Sequence, residues 1–243
     1  MKKYKLIDQN IWDISNDEIN HAILDAVTQN KKIVISNANA NAFYISKTNN
    51  NFYSFQKNAD IIICDSKWVQ IAIKYLYGVW VNHLSYYLWV PQLYTFCNEK
   101  KLKVFLLGAK EKTLQKALKN FKQEFPNIIF ESQNGYFEKN GYENNIVTKK
   151  INSFNPDILM VGMGMPLQEK WLTDNIPNIN ANVFTNGGAF IDVFSGEKVI
   201  PKWITSIGME WLYRLIKDPR RMWRRYLFGN TYFLFKFLSQ KSK

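Results

Sequence analysis

A carboxylate at position 65 is the first group in this sequence whose type and place could do chemistry. Asp65 directly follows the apolar run IIIC (61–64), and a carboxylate at a strand end can accept a proton from a hydroxyl as a general base. Asp is also a favoured helix N-cap, and residue type alone favours that role here. Three asparagines, Asn37, Asn39 and Asn41, follow the preceding strand. They could hydrogen-bond a sugar, and turn formation explains them as readily.

A glycine-containing turn is the second candidate. The segment GMGMPLQEKW (162–171) follows a predicted strand and opens a predicted helix, which is where a phosphate can approach the backbone. It does not match the dinucleotide fingerprint, because Leu167 stands where the third glycine is required. An ordinary strand-to-helix turn would have the same spacing. The polar cluster at 168–170 favours a ligand site.

Other chemistries find little support. His83 could titrate near neutrality, but a partly buried histidine with satisfied hydrogen bonds is the commoner reading. The sequence contains no HExxH motif and no Cys/His cluster with metal-ligand spacing, so we expect no tightly held metal. The only two cysteines, Cys64 and Cys97, exclude a disulfide framework and fit a reducing compartment. A buried strand residue is the default for Cys64.

The elements that must position these residues alternate between strands and helices. Continuous apolar runs predict strands that are buried on both faces; they cover 31–36, 60–64, 103–108, 127–130, 157–162 and 181–188. Helical stretches are predicted at 16–29, 39–57, 67–76, 85–100, 110–125, 141–154 and 167–175. This alternation predicts an α/β fold: a Rossmann-like, doubly wound parallel sheet with helices on both faces. Ligands of such sheets bind beyond the carboxyl ends of the strands, where both candidates lie.

The charge of the chain is concentrated at its C-terminal end. The 243 residues carry a net charge of +12 and are 16% aromatic, so a nucleic acid, a membrane surface or an anionic ligand is the expected kind of partner. Residues 200–243 hold ten basic and two acidic residues, and therefore +8 of that charge. This shift predicts a catalytic domain over 1–196 and a helical, basic appendage over 197–243.

The appendage is predicted to form two helices that divide at Asp218-Pro219. On the second helix the basic residues fall within about 140° of one another; they are Arg220, Arg221, Arg224 and Arg225. Apolar and aromatic residues occupy the opposite side; they are Met222, Trp223, Tyr226 and Leu227. This pattern fits an interfacial membrane helix and, equally, a helix packed on its own domain. The run YFLFKFL (232–238) is too short to span a bilayer but could enter its interface.

Two further readings concern membranes. The stretch 75–98 contains no charged residue, but its polar residues and Pro91 favour a buried helix with a connection over a membrane span. The first ten residues lack the apolar segment of a signal peptide, so we expect none.

Four segments together resemble the WecG/TagA/CpsF family of bacterial glycosyltransferases, and the likeness covers nearly the whole chain. The segments are VFLLGAK (104–110), LMVGMGMPLQEKW (159–171), GGAFIDVFSGEKVIPKW (187–203) and GMEWLYRLIKDPRRMWRRYLFGN (208–230). The resemblance implies an inverting, metal-independent enzyme that needs no cofactor. It would move an N-acetylmannosamine-type sugar or related hexose from a UDP-sugar to a polyprenyl-diphosphate-linked glycan in cell wall or capsule synthesis. The resemblance also implies a peripheral position on the cytoplasmic face of the bacterial membrane, with an anionic membrane surface as a partner. It is compatible with a homo-oligomer.

The resemblance assigns roles to individual residues. Asp65 matches the proposed general base, and Asn39 an active-site asparagine. The implied donor-binding residues are Gly108, Tyr136, Gly162, Gly164, Pro166, Gln168 and Asp192, and those for the acceptor and its diphosphate are Asn37, Arg214, Arg221 and Arg224. Three positions depart from the family pattern: Asn37 replaces a threonine, Ser66 a glycine, and His83 stands where an acid is usual. A non-catalytic, membrane-recruited subunit and a basic nucleic-acid-binding protein are the alternatives, although no nucleic-acid partner is expected.

Overall fold

The computed structural model describes residues 1–187, 189–196, 200–201, 203–204 and 207–240, without the side chains of residues 189, 190 and 221. Its eight strands are β1 (Lys2–Leu6), β2 (Gln9–Asp13), β3 (Ile33–Ala38), β4 (Ile61–Cys64), β5 (Lys103–Gly108), β6 (Ile129–Gln133), β7 (Ile158–Gly162) and β8 (Val183–Asn186). They form a mostly parallel sheet in the order β1-β2-β4-β3-β8-β7-β5-β6. The predicted α/β fold and its six strands are confirmed as β3 to β8.

The helices alternate with these strands. They are α1 (Asn16–Thr28), α2 (Ala40–Thr48), α3 (Asn50–Asn58), α4 (Lys67–Tyr77), α5 (Tyr86–Lys100), α6 (Glu111–Glu124), α7 (Gly141–Phe154), α8 (Leu167–Asn175), α9 (Ala189–Phe194), α10 (Glu210–Lys217) and α11 (Pro219–Leu238). The single helix predicted over 39–57 is wrong, because it is divided at Asn49. That residue ends α2, and its side chain accepts a hydrogen bond from the N–H of Phe52 to begin α3.

The antiparallel hairpin of β1 and β2 was not predicted. Its two strands are joined by Ile7 and Asp8, and Ile7 adopts a left-handed backbone conformation with φ 58°. A β-branched residue is uncommon in that conformation. The sequence therefore lacks the Asn-Gly or Asp-Gly pair that normally reveals a two-residue hairpin.

The chain divides into two compact units. The first unit comprises Met1–Ser15, Ser36–Leu88 and Ile200–Lys243, and the second comprises Asn16–Ile35 and Trp89–Val199. The change from one unit to the other at Ser36 falls within β3. The predicted boundary between 1–196 and 197–243 follows the charge of the sequence and stays a prediction.

The core of the first unit contains residues from both ends of the chain. Leu6 and Ile11 of the hairpin are fully buried in the same cluster as Phe233 and Phe237 of α11. The rings of Phe43 and Phe233 lie 5.1 Å apart. Helix α11 is therefore part of this core. Of the two alternatives given for the basic helix, this one is a helix packed on its own domain.

The core of the second unit is built on β5, β7 and β8, whose central residues have no solvent exposure. Tyr94 of α5 lies among aromatic rings, with Phe121 at 4.8 Å and Phe130 at 5.8 Å. The reading of 75–98 as a buried helix with a connection is confirmed in α5. No helix among the described residues is both long and apolar enough to cross a membrane.

Candidate functional site

Asp65 lies in the first unit, directly after β4, and it is not a helix cap. Ser66 caps α4 instead, accepting a hydrogen bond from the N–H of Val69 at 3.4 Å. The backbone N–H of Asp65 donates to the carbonyl of Ala38 at 3.1 Å, which joins the ends of β4 and β3. The cap that residue type favoured for Asp65 is therefore wrong, and its carboxylate is left for other partners.

Asn39, which directly follows β3, contacts this carboxylate, and Asn37, the next-to-last residue of β3, contacts Asn39. The amide of Asn39 donates to Asp65 Oδ2 at 3.0 Å and to Asn37 Oδ1 at 3.1 Å. The other end of the same side chain accepts from the N–H of Ala42 at 3.1 Å and caps α2. Asn39 therefore caps α2 and bonds to Asp65 at once, and the cap fixes the orientation in which its amide meets the carboxylate. The predicted hydrogen bond to a sugar stays a prediction. Asn41 takes a different place, on the wall of a groove.

A second donor reaches Asp65 from α5. The backbone N–H of Tyr86 donates to Asp65 Oδ1 at 3.1 Å. The pKa of Asp65 is raised above its ordinary value because burial outweighs these hydrogen bonds and the positive charges of Arg214 and Arg225. A carboxylate with a raised pKa is a stronger base than a solvated aspartate, and Asp65 keeps partial contact with solvent. The arrangement thus suits a group that removes a proton from a hydroxyl.

Arg214 of α10 supplies positive charge near Asp65. Its guanidinium carbon lies 4.8 Å from the centre of the Tyr87 ring, and it pairs loosely with Glu210 at 3.9 Å. Burial opposes its charge, but the nearby Tyr87, Tyr226, Glu210 and Asp65 outweigh that effect and raise the pKa of Arg214. Its buried Nε atom has no hydrogen-bond acceptor among the described residues. A donor of this kind could meet an anionic ligand.

The other two predicted arginines stand differently. Arg224 is exposed, with its guanidinium 5.2 Å from the ring of Trp223, and the side chain of Arg221 lies outside the described residues. Arg225 was not predicted, yet its positive charge acts on Asp65. The four arginines of this helix form two adjacent pairs, 220–221 and 224–225, and this pattern did not indicate which arginine would act on the carboxylate.

His83 is half-buried close to Asp65. Burial and the positive charge of Lys67 bring the pKa of His83 down to about 4, although a hydrogen bond to the Asp65 backbone opposes this shift. The imidazole is therefore neutral at physiological pH. Lys67 itself was not predicted: its stem packs against Gly208, where an added Cβ would lie 2.2 Å from Lys67 Cγ.

The second unit contains the glycine-containing turn. Gly108 and Gly162 are paired neighbours at the ends of β5 and β7, and a Cβ on Gly108 would lie 2.3 Å from the carbonyl oxygen of Gly162. Gly108 is therefore required for strand packing, which the expectation of close phosphate approach did not include. Gly164 has φ +89° and open space where its side chain would be, as a turn that admits a ligand requires.

A buried polar network closes this turn. Gln168 Oε1 accepts from the N–H of Gly164 at 2.9 Å, and its amide donates to Glu169 Oε1 at 2.7 Å. Asn186, at the end of β8, donates to the same Glu169 oxygen at 2.7 Å. Pro166, which is joined to Met165 by a cis peptide bond, directly precedes α8. Glu169 belongs to the polar cluster predicted at 168–170, whereas Asn186 was missed because nothing in residue spacing shows that β7 and β8 are neighbours.

The remaining donor candidates also lie in the second unit. Tyr136 is 71% exposed, and its backbone N–H donates to Asn134 Oδ1 at 3.0 Å. Its ring is thus free of the core and presents a face on which a base could stack. Asp192 lies half-buried in α9. The donor roles of these two residues stay predictions.

Comparison with known proteins identifies a family that covers nearly the whole chain and individual relatives that cover part of it. Residues 4–243 match the family model described as the glycosyl transferase WecG/TagA/CpsF family. One relative is an N-acetylglucosaminyldiphosphoundecaprenol N-acetyl-beta-D-mannosaminyltransferase of Bacillus subtilis strain 168, 28% identical over 211 residues that cover 86% of this chain and 81% of the relative.

Proteins of the same name from Staphylococcus aureus strains MW2 and NCTC 8325 are 34% identical over 142 residues. That match covers 58% of this chain and 54% of each staphylococcal protein, so the chain spans about half their length in the aligned region.

Proposed function

Because the chain belongs to the WecG/TagA/CpsF family of glycosyl transferases, we propose that it moves a sugar of the N-acetylmannosamine type from a UDP-sugar to a polyprenyl-diphosphate-linked acceptor. The names of the Bacillus and Staphylococcus relatives support both the transferred sugar and the lipid-linked acceptor. The observation that carries the proposal is the environment of Asp65, a carboxylate of raised pKa that is held by two hydrogen bonds and lies in the field of the half-buried Arg214.

The proposed reaction is a single displacement. Asp65 removes the proton from the acceptor hydroxyl as the hydroxyl oxygen attacks the anomeric carbon of the sugar. The bond from that carbon to the UDP oxygen breaks on the opposite side, so the anomeric configuration inverts. UDP leaves with the bonding electron pair.

The negative charges of the substrates require positive partners. We propose that Arg214 meets the diphosphate of the acceptor, since its buried Nε–H faces no acceptor among the described residues and arginine binds phosphate oxygens in well-defined geometry. The turn at 162–168 would bind the UDP of the donor, since Gly164 leaves open space beside the backbone for phosphate groups. With arginine to neutralise the substrate charges, the reaction would proceed without a metal ion.

A turnover assay tests this proposal. Purified full-length protein is mixed with UDP-N-acetylmannosamine and detergent-solubilised N-acetylglucosaminyl-diphosphoundecaprenol, with and without EDTA, and UDP release is measured. We expect turnover in both conditions and inversion at the anomeric carbon by NMR of the product. Asp65→Asn should abolish turnover with UDP binding nearly intact, while the surface variant Asp25→Asn should behave as wild type. Retained turnover in Asp65→Asn would remove Asp65 from the role of base, and absence of wild-type turnover would refute the reaction.

We also propose that the first unit contacts the membrane. Although Met222, Phe233 and Phe237 pack α11 into the core, other apolar side chains of this unit remain exposed. They are Trp68, Ile71, Tyr75 and Trp80 in and after α4, Ile216 in α10, and Leu227, Leu234, Phe235 and Leu238 in α11. The rings of Tyr75 and Phe237 lie 6.0 Å apart, so α4 and α11 are neighbours there. Large exposed apolar patches with basic residues at their edge are typical of membrane contact.

Vesicle sedimentation tests the membrane contact. We expect the full-length protein to sediment with vesicles rich in phosphatidylglycerol and less with neutral phosphatidylcholine vesicles. Phe235→Glu should reduce sedimentation, and Tyr142→Glu, an exposed tyrosine of the second unit, should leave it unchanged. Equal sedimentation of the two variants and the wild type would contradict the assignment of this surface.

A further inference from the structure

The first unit contains an open groove between α2 and α11 that no proposed step has used. Its volume is about 480 Å³, within the range of about 300–1,000 Å³ that small-molecule sites occupy. Its walls are mainly apolar and include Tyr44, Ile45, Trp223 and Phe228. A groove of this size and lining suits a flat or branched hydrocarbon group.

Aromatic rings form one continuous wall of the groove. Tyr44 and Phe228 are stacked at 6.3 Å between ring centres, and Trp223 lies 6.3 Å from the same Phe228 ring. Trp223 and Phe228 remain 42% and 48% exposed. Burial of apolar surface stabilises a complex by about 25 cal/mol per Å², so a hydrocarbon that covers this wall binds favourably.

The polar lining of the groove connects it to Asp65. Two of the lining residues are Arg224 and Arg225, and the positive charge of Arg225 acts on Asp65. A third, Asn41, stands two residues after Asn39 at the start of α2. The groove therefore combines an apolar, aromatic wall with two arginines, one of which, Arg225, acts on the proposed base.

We propose that this groove binds the first isoprene units of the acceptor, next to its diphosphate. The inference rests on the proposed function and extends it to the lipid part of the substrate. Charge complementarity identifies the occupant: a diphosphate carries the negative charges that Arg224 and Arg225 match, and the adjacent isoprenoid supplies methyl-branched units that pack against aromatic rings. Arg225 thereby becomes a binding residue for the diphosphate.

A binding measurement that needs no turnover tests this inference. Titration of the full-length protein with farnesyl diphosphate should quench tryptophan fluorescence in a saturable manner, whereas farnesol and inorganic diphosphate should bind at least tenfold more weakly. Trp223→Phe should remove most of the signal. Phe228→Ala should weaken binding about tenfold, which corresponds to about 1.4 kcal/mol. Tyr142→Ala, which removes an exposed ring of the second unit, should not change the affinity.

A second variant guards against misfolding of Phe228→Ala. Ile45→Trp fills the groove without removing its wall and should also weaken farnesyl diphosphate binding, while its melting temperature stays near that of the wild type. Equal affinity for inorganic and farnesyl diphosphate, or affinity unchanged in both variants, would overturn the inference. Transfer to an acceptor with a short alkyl tail, combined with no preference for an isoprenoid tail, would overturn the groove but not the proposed function. Farnesyl diphosphate binding without any transfer would refute the proposed function and uphold the groove.

Discussion

Replacement of Asn39 by Asp isolates the hydrogen bond that orients Asp65. Asp and Asn are equally good N-caps, so the bond from the Ala42 N–H to position 39 and the start of α2 should survive. The amide that donates to Asp65 Oδ2 at 3.0 Å becomes a carboxylate oxygen. Two carboxylates at that distance share a proton, so Asp65 would lose a donor and gain a competitor for its proton.

The size of the effect follows from that contact. A hydrogen bond to a charged group contributes about 1.5–3 kcal/mol, and each 1.36 kcal/mol changes a rate about tenfold. Asp65 keeps partial solvent contact, which favours the lower part of that range. We therefore expect kcat/KM for the acceptor to fall about 10- to 30-fold at neutral pH and to recover partly as the pH rises and the shared proton leaves.

The assay is the dependence of kcat/KM on pH for wild type, Asn39→Asp and Asn39→Ser. Serine keeps a cap oxygen but brings no second carboxylate. Because the Asn39 hydrogen bond lowers the pKa of Asp65, its loss in Asn39→Ser should move the acidic limb of the profile to higher pH, and the second carboxylate of Asn39→Asp should move it further. Thermal melts of the three proteins should agree within a few degrees, because the cap is kept in each. An Asn39→Asp profile that coincides with the wild type would refute the role of Asp65 as a base oriented by Asn39.

Three further outcomes are expected. The pKa of Asp65 is raised in the fold, so its ionisation costs stability as pH rises from the unfolded-state pKa through the folded-state pKa. Asp65→Asn should therefore melt at a higher temperature than wild type at neutral pH, with a smaller difference in acid. A lower melting temperature at neutral pH would contradict this. His83, with a pKa of about 4, should titrate near pH 4 by NMR and its charging should destabilise the fold only below about pH 6.5; a midpoint near 6.5 would show that it is solvated. Gly108→Ala should lower the free energy of unfolding by about 3 kcal/mol, because the added Cβ meets the Gly162 carbonyl. Gly78→Ala should lower it by about 1–2 kcal/mol, because Gly78 has φ +72° but open space around it. Equal urea-unfolding midpoints for the two variants would refute the packing argument.

The sequence predicted the sheet well because buried parallel strands leave a strong local signal. The apolar runs that became β3 to β8 needed no tertiary information. The hairpin of β1 and β2 left a weak signal, since Ile7 takes a conformation that its side chain disfavours. Asn49 shows a similar limit, because one asparagine ends α2 and begins α3 without any proline or glycine to mark the break.

The site was predictable at its centre and less so at its edge. Asp65 and Asn39 could be named because each directly follows a recognisable strand, and adjacent parallel strands bring such residues together. The cap was predicted wrongly at Asp65, since Asp and Ser are both good caps and only the structure shows that Ser66 bonds to Val69. Arg225 was missed for a related reason: which side of α11 faces Asp65 depends on how Phe233 and Phe237 enter the core.

The sharing of one core by Leu6, Ile11, Phe233 and Phe237 has a consequence for the order of folding during synthesis. A chain grows at about 5–20 residues per second, so the hairpin waits about 10–45 s before α11 is made. Residues 16–35 and 89–199, which form the second unit, are complete before then. Nascent chains halted near residue 200 should therefore present a protease-resistant second unit together with an unfinished, chaperone-binding N-terminal hairpin.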